Sequence, residues 1–298
     1  MNLKQLSDLK SVVDGRSKRR IVVASAADKH SLGAVVNAAK DGIIEPVLIG
    51  DESEIKRLLK EESAPGDYTI IDEPDPSKAV RLAVQMVSSN EADVLMKGNV
   101  GTSTLLKAVL NKEWGLRTGQ LLSHIALFEV SAYHKLIAVT DVALNIAPTL
   151  QDKIGIINNS VGCLNRLGNL NPKVALLGAV EMVNENMEAT LDAALLSKMN
   201  QRGQIANCTI DGPLAFDNAV SRESAEHKNI NSDVAGDADI LIMPDIEAGN
   251  VLYKSLVFFA RASVASVILG AAAPIVLTSR SDSGQTKYDS ILFAAATS

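Results

Sequence analysis

The chain has 298 residues, of which 47% are hydrophobic and 21% charged, and its formal net charge is −6. This negative balance disfavours a nucleic-acid partner, and an aromatic content of 3% leaves few rings on which bases could stack. The length exceeds that at which single hydrophobic cores stop growing, so two domains are expected. The polar segment 1–20 predicts no signal peptide, and the two isolated cysteines predict a reduced, cytoplasmic protein.

Short β-branched runs alternate with amphipathic segments along the first part of the chain. Strands are predicted at 20–24, 45–49, 68–71 and 93–96, and helices at 28–41, 51–62, 74–89 and 102–110. This alternation predicts an α/β fold with a mainly parallel sheet covered on both faces. Two consecutive apolar runs, 121–130 and 136–139, interrupt the alternation and predict an antiparallel pair of strands.

A second α/β series follows this interruption. Helices are predicted at 151–167, 187–200, 247–260 and 288–296, and strands at 173–177, 204–210, 240–243, 264–269 and 275–277. We therefore expect a first domain of residues 1–138 plus 284–298 and a second domain of residues 139–283. Ligands of such sheets bind outside the carboxyl ends of the strands, so the strand-end loops are the candidate sites.

The loop that follows the last predicted strand is the richest in chemistry. It contains Ser279, Arg280 and Asp282 within four residues. Arginine matches phosphate oxygens with a planar fork, aspartate can accept a proton, and a serine can donate to a developing oxyanion. The same residue types also suit an ordinary turn that caps a helix, and the sequence leaves both interpretations open.

Other strand-end loops carry further candidates. Lys97 and Gly98 precede a predicted helix that begins near Thr102, which suits an anion, although Thr102 or Ser103 would equally serve as a simple helix cap. Arg117 lies between two glycines, where either a phosphate contact or a surface position is possible.

Polar residues also lie within or just after the two consecutive strands. Ser123 and His124 lie inside an apolar run and need partners or a cleft, although a buried histidine of the core is the simpler interpretation of His124. Asp141 ends the second of these strands, and Asn145 suits the turn that follows it.

Taken together, these motifs resemble the phosphate acetyl/butyryl transferase family from about residue 15 to the end of the chain. The segments that carry the resemblance are Lys97-Gly98 through Leu106, Leu122-Ser123-His124, Thr140-Asp141 with Asn145 and Pro148, Asp211-Gly212-Pro213-Leu214, 239–245 with Gly249-Asn250, and 274–283. The run from Ser279 to Ser283 and the lysine at 97 are most similar to the butyryltransferase branch.

The resemblance implies a fold similar to that of isocitrate and isopropylmalate dehydrogenases, with two α/β domains around a cleft and usually a homo-oligomer. It implies reversible transfer of a butyryl group between coenzyme A and phosphate, without a metal or bound prosthetic group. The chemistry would be a direct attack within a ternary complex. The product, butyryl phosphate, would pass to a butyrate kinase.

The resemblance also assigns roles to residues of this chain. Arg280 would bind phosphate, Ser279 would stabilise the oxyanion or the leaving thiolate, and the base would be Asp282 or Asp289. Asp282 is favoured because Asp289 is predicted on the final helix. Substrate-binding residues would be Lys97, Gly98, Thr102, Arg117, Ser123, His124, Asp141 and Asn145. Acetyltransferases of the family usually carry an arginine on the helix after the strand-end glycine loop, where this chain offers only Lys107.

Three alternatives stay open at this point. One is a phosphate acetyltransferase, which differs in the volume of its acyl pocket. Another is a non-catalytic regulator that binds acyl phosphate or coenzyme A on the same fold, which the presence of Ser279, Arg280 and Asp282 argues against. The last is a dehydrogenase, for which the sequence shows neither metal-binding aspartates nor a cofactor loop.

Overall fold

The computed structural model describes residues 3–64, 68–279 and 282–298. The strands are β1 (Arg19–Ala24), β2 (Ile44–Gly50), β3 (Thr69–Asp72), β4 (Val94–Lys97), β5 (Ser123–Glu129), β6 (Ile137–Thr140), β7 (Lys173–Leu177), β8 (Thr209–Leu214), β9 (Ile240–Ile242), β10 (Ser263–Leu269) and β11 (Ile275–Val276). The helices are α1 (Leu9–Val13), α2 (Lys29–Lys40), α3 (Glu52–Glu61), α4 (Pro76–Ser88), α5 (Thr102–Val109), α6 (Leu150–Arg166), α7 (Glu188–Gln201), α8 (Phe216–Val220), α9 (Arg222–His227), α10 (Ile246–Phe258) and α11 (Gly284–Thr297). None of the described helices combines the length and the apolar character needed to cross a membrane.

The chain divides into two compact units. The terminal unit contains Ser7–Gln120 and Ala265–Ser298, and the central unit contains Leu121–Val264 together with the first residues through Leu6. The predicted domain boundaries, after residues 138 and 283, differ from these. Strand pairing gives the reason: β5 pairs with β6, which pairs with β9, whereas β11 pairs with β4.

The terminal unit is built around strands in the order β3-β2-β1-β4-β11-β10. Neighbouring strands are parallel except for β10 and β11, which are antiparallel. The helix α2 begins at its cap Asp28, whose carboxylate accepts a hydrogen bond from the Ser31 N–H at 2.8 Å. It ends before Gly42, whose φ of +74° is one that glycine adopts without strain. The predicted parallel sheet of this part of the chain is confirmed.

The helix α11 is longer than the predicted 288–296. It begins after its cap Ser283, whose hydroxyl accepts a hydrogen bond from the Thr286 N–H at 3.0 Å. Every residue from Lys287 to Thr297 is buried. The Tyr288 hydroxyl donates to Asp41 at 2.5 Å, and this bond ties α11 to the end of α2.

The central unit has the strand order β5-β6-β9-β7-β8. The predicted antiparallel pair is confirmed as β5 and β6, and the other neighbours are parallel. Its core includes the fully buried side chains of Phe128, Val139 and Val234.

The strand predicted at 204–210 is misplaced, because β8 begins only at Thr209. Asn200 explains the difference. Its side-chain amide donates to the carbonyl oxygens of Ile205 at 3.0 Å and Cys208 at 2.9 Å, and its Oδ1 accepts from the Ile210 N–H at 3.0 Å. Ile205 and Cys208 are therefore buried in a turn that the Asn200 side chain holds in place, and their burial resembles that of a strand.

Burial of α11 generates a prediction about stability. Leu292→Ala removes a side chain with 0% exposure and is expected to lower the free energy of unfolding by about 2–5 kcal/mol. Leu110→Ala, in the same unit, is the matched control; its side chain is already 48% exposed, so it should cost less than half as much. Urea unfolding of both variants measures this, and equal losses would contradict the buried placement of α11.

Candidate active site

The structure gathers the predicted site residues into two clusters, one in each unit. The Lys97 cluster, in the terminal unit, consists of Lys97, Gly98, Ser279 and Asp282. The Asp141 cluster, in the central unit, consists of Ser123, His124, Asp141 and Asn145. Arg280, predicted to bind phosphate, lies outside the described residues, as does Ser281.

The Lys97 cluster forms because β4 and β11 are parallel neighbours. Val276 pairs with Met96, so the loops that follow both strands leave the sheet at the same edge. Gly98 lies where the loop touches the end of β1, and its N–H donates to the carbonyl oxygen of Ala24 at 2.9 Å. A Cβ atom at this position would collide with the main-chain oxygen of Ser25. Glycine is therefore required here for close backbone approach.

The Lys97 side chain is 5% exposed. Its Nζ donates to the carbonyl oxygens of Gly98 at 3.2 Å and Val100 at 3.3 Å. These bonds fold the ammonium back under its own loop. Burial raises the pKa of the nearby Asp282 carboxyl, and the positive charge of Lys97 opposes this.

Asp282 is half-buried, and its Oδ2 accepts a hydrogen bond from the Ser279 N–H at 2.6 Å. Burial raises the pKa of this carboxyl above its ordinary value, while the Ser279 N–H and the charges of Lys287 and Lys97 act in the opposite direction. A carboxyl group with a raised pKa is, in its ionised form, a stronger base than an ordinary aspartate. The position therefore suits proton transfer.

Two predicted site residues of the terminal unit, Thr102 and Arg117, do not belong to the Lys97 cluster. Thr102 is exposed at the start of α5, and the cap of that helix is Gly101, not the Thr102 or Ser103 considered from the sequence. Arg117 is exposed in a segment that forms an antiparallel bridge with Ala271. Both side chains face solvent.

Asp141 organises the second cluster. Its carboxylate is 3% exposed and accepts four hydrogen bonds, from the main-chain N–H groups of His124, Ala143 and Leu144 and from the side-chain amide of Asn145. The distances lie between 2.6 Å for the Asn145 amide and 3.0 Å for the His124 N–H. All of its acceptor positions are used within the unit, so Asp141 acts by holding the loop and the start of β5 in place.

Ser123 and His124 start β5 and are both buried. The Ser123 hydroxyl oxygen accepts a hydrogen bond from the Asn159 amide at 2.9 Å, which leaves its proton available for donation. Burial lowers the pKa of the His124 imidazole, and the charge of Asp141 opposes this. Its Nδ1 is buried and has no hydrogen-bond partner among the described residues. A buried ring nitrogen of this kind can serve a bound substrate.

Two residues that contact these clusters were not predicted from the sequence. Asn159 lies within α6, where its only signal is a polar residue in an amphipathic helix. Lys287 lies within α11, where it donates to the main-chain oxygen of Asp282 at 3.3 Å. Neither follows a strand, so the strand-end rule does not find them.

This chain is similar to known proteins over most of its length. Residues 68–295 match the family model described as phosphate acetyl/butaryl transferase. The chain belongs to this family. It is 47% identical over 294 residues to a phosphate butyryltransferase of Clostridium acetobutylicum, with 98% of each chain covered. It is 48% identical over 292 residues to a phosphate acetyltransferase of Thermotoga maritima, covering 97% of this chain and 98% of that protein. The family resemblance predicted from the motifs is confirmed.

Solved structures of the family and beyond share this fold. A branched-chain phosphotransacylase from Enterococcus faecalis matches with a TM-score of 0.85 and 34% identity, covering 94% of this chain and 98% of that one. A 4-hydroxythreonine-4-phosphate dehydrogenase from Klebsiella pneumoniae matches with a TM-score of 0.57 at 14% identity, covering 94% of this chain and 100% of that one, which is a likeness of fold alone. The predicted dehydrogenase-like α/β fold class is confirmed.

The Asp141 cluster generates a prediction at Gly249, on α10. A Cβ atom there would collide with the main-chain oxygen of Asp141, so Gly249→Ala is expected to displace the loop and lower the free energy of unfolding by about 1–3 kcal/mol. Gly162→Ala on α6 is the matched control; nothing lies within 4 Å of its added Cβ, and it should stabilise by about 0.5–1 kcal/mol. Urea unfolding of the pair measures both signs, and a neutral Gly249→Ala would contradict the close approach.

Proposed function

We propose that this protein is a phosphate butyryltransferase, an acyltransferase that moves a butyryl group reversibly between coenzyme A and inorganic phosphate. The observation that carries the proposal is the half-buried Asp282 carboxylate, held by the Ser279 N–H beside the buried Lys97 ammonium, in a chain of this family. A free thiol has a pKa near 8.5, so coenzyme A needs a base to become a nucleophile at neutral pH.

The reaction is a direct exchange at the acyl carbon. Towards acyl phosphate, a phosphate oxygen bonds to the thioester carbonyl carbon, the carbon–sulfur bond breaks, and the leaving thiolate takes a proton from protonated Asp282. In the reverse direction Asp282 removes the thiol proton, the sulfur attacks the acyl carbon, and phosphate leaves. Ser279 donates to the tetrahedral oxyanion or to the thiolate, and Arg280 offsets the charge of phosphate.

The remaining proposed contacts involve the substrate-binding residues. The Ser123 hydroxyl and His124 ring contact the acyl phosphate, while Asp141 and Asn145 hold them in position. Lys97 supplies positive charge close to the phosphate. Thr102 presents its main-chain N–H at the start of α5, and Gly98 lets the loop lie against the end of β1. Arg117 is the exposed cation of this set.

We also propose the setting in which the enzyme works. It acts in the cytoplasm as a homo-oligomer, with coenzyme A as a substrate and with neither a metal nor a bound prosthetic group. Its acyl phosphate product is a substrate for a butyrate kinase, which transfers the phosphoryl group onward.

A phosphate acetyltransferase is the second candidate, because a relative with that name is as similar to this chain as the butyryltransferase is. The two activities differ by two methylenes in the acyl chain. Each methylene in a hydrophobic pocket is worth about 1–3 kcal/mol of discrimination, so the preference is measurable.

Acyl-chain preference is tested by phosphate-dependent release of coenzyme A, followed with a thiol reagent. Acetyl-, propionyl-, butyryl- and valeryl-CoA are compared, and the rate is expected to be highest with butyryl-CoA. A maximum with acetyl-CoA would instead establish the acetyltransferase. Absence of phosphate-dependent release from all four, in folded protein, would favour a non-catalytic binding regulator.

The choice of base is tested by Asp282→Asn against Asp289→Asn. Asparagine retains an oxygen that can accept the Ser279 N–H, so the loop should keep its shape while proton transfer is lost. We expect Asp282→Asn to lower the rate of acyl-CoA formation by about 10²–10⁴-fold. Asp289, on α11, already accepts a hydrogen bond from Gln285 at 2.9 Å, and its replacement should have a much smaller effect. The opposite order would assign the base to Asp289.

A further inference from the structure

Lys287 is a lysine in an unusual place. It lies in the first turns of α11 and is only 3% exposed. Lysine is almost never fully buried unless it is paired, because removal of an ammonium from water is costly. The surroundings of Lys287 must therefore supply compensation, and they show what the residue does.

The direct partner of its ammonium is the loop that carries Asp282. Lys287 Nζ donates to the main-chain oxygen of Asp282 at 3.3 Å. The carboxylate of the same residue accepts from the Ser279 N–H, and the Asp282 N–H donates to the Ser279 oxygen at 3.2 Å. Asp282 is thus held at its carbonyl by Lys287 and at its N–H and carboxylate by Ser279.

Charged side chains from three elements lie around Asp282 and Lys287. Lys97 approaches Asp282 from the end of β4, and Lys287 approaches it from α11; both lower the pKa of its carboxyl, against the effect of burial. Asp28, the cap of α2, approaches Lys287. Burial raises the pKa of Asp28, but the hydrogen bonds from Ser31 and the charge of Lys287 bring it below its ordinary value. The charge of Lys287 therefore acts on two carboxylates, Asp28 and Asp282.

We propose that Lys287 is a positioning residue for the proposed base: its buried ammonium holds the carbonyl oxygen of Asp282 and keeps a positive charge near the carboxylate. Lys287 does not touch the reacting atoms. It acts by keeping Asp282 ionised and correctly placed when the thiol of coenzyme A arrives. The inference rests on the proposed function, in which Asp282 takes the thiol proton.

The test is the pH dependence of kcat/KM for coenzyme A, with butyryl phosphate as the second substrate. Lys287→Gln retains a hydrogen-bond donor and removes the charge, whereas Lys287→Met removes both. Without the positive charge Asp282 binds its proton more tightly, so the acid limb of the profile should move to higher pH in both variants. We expect the activity deficit relative to wild type to be about ten-fold larger at the acid end than on the plateau.

Lys60→Gln is the matched control, because it removes the same charge from an exposed position on α3 of the same unit. Its profile should coincide with that of the wild type. Each Lys287 variant is also made in the Asp282→Asn background. If Lys287 acts through Asp282, its replacement there should cost less than three-fold in kcat/KM, whereas a merely structural lysine would cost the same in both backgrounds.

An unmoved acid limb in Lys287→Gln, or equal losses in the two backgrounds, would overturn the inference. If Lys287→Met does not fold, Lys287→Gln decides the matter, since it retains a donor for the loop. Failure of the proposed function has a different signature: the wild type itself would release no coenzyme A. A fully active Asp282→Asn would remove Asp282 from the reaction and the positioning role of Lys287 with it.

Discussion

The parallel pairing of β11 with β4 is the contact on which the Lys97 cluster depends. The two strands are about 180 residues apart in the chain, yet Val276 lies opposite Met96. Without this pairing, Lys97 and Asp282 would belong to unrelated loops. The strand β11 has only two residues, so the pairing is not self-sufficient. The helix α11 secures it, because its buried face packs beside β11 and against α1 and α2.

In the central unit, the buried carboxylate of Asp141 has the role that strand pairing has in the terminal unit: it holds separate segments of the chain together. Asp141 accepts hydrogen bonds from β5 and from its own loop, so one buried side chain connects two neighbouring strands. Because α10 approaches through Gly249, there is no space for a side chain between that helix and the Asp141 loop. Asn250 adds a hydrogen bond to the Val142 oxygen at 3.2 Å. These contacts fix the main chain around His124, which suits the substrate contact proposed for its ring.

The sequence predicted most of the strands and helices because apolar periodicity and helix caps are local signals. It also placed Asp141 at the end of a strand and Asn145 in the turn that follows; the hydrogen bond between the two side chains is known only from the structure. It failed where a tertiary contact replaces a local one. Side-chain hydrogen bonds from Asn200 hold the apolar segment before β8 in a turn, where the sequence predicts a strand. The buried start of α11 was missed because it contains Lys287, whose charge is offset in part by Asp28, a residue distant in the chain. Asn159 is identified only by its contact with Ser123, 36 residues away.

Burial of the cations also reconciles the charge of the protein with its proposed substrates. Coenzyme A and phosphate are anions, whereas the chain carries a net charge of −6 that repels them at long range. Surface lysines would be screened by salt over a Debye length of about 8 Å under physiological conditions. Lys97 and Lys287 are instead 5% and 3% exposed, where screening is weak and each charge acts at short range. These two lysines therefore supply short-range positive charge near the loops that follow β4 and β11, which the net charge of the whole chain does not supply.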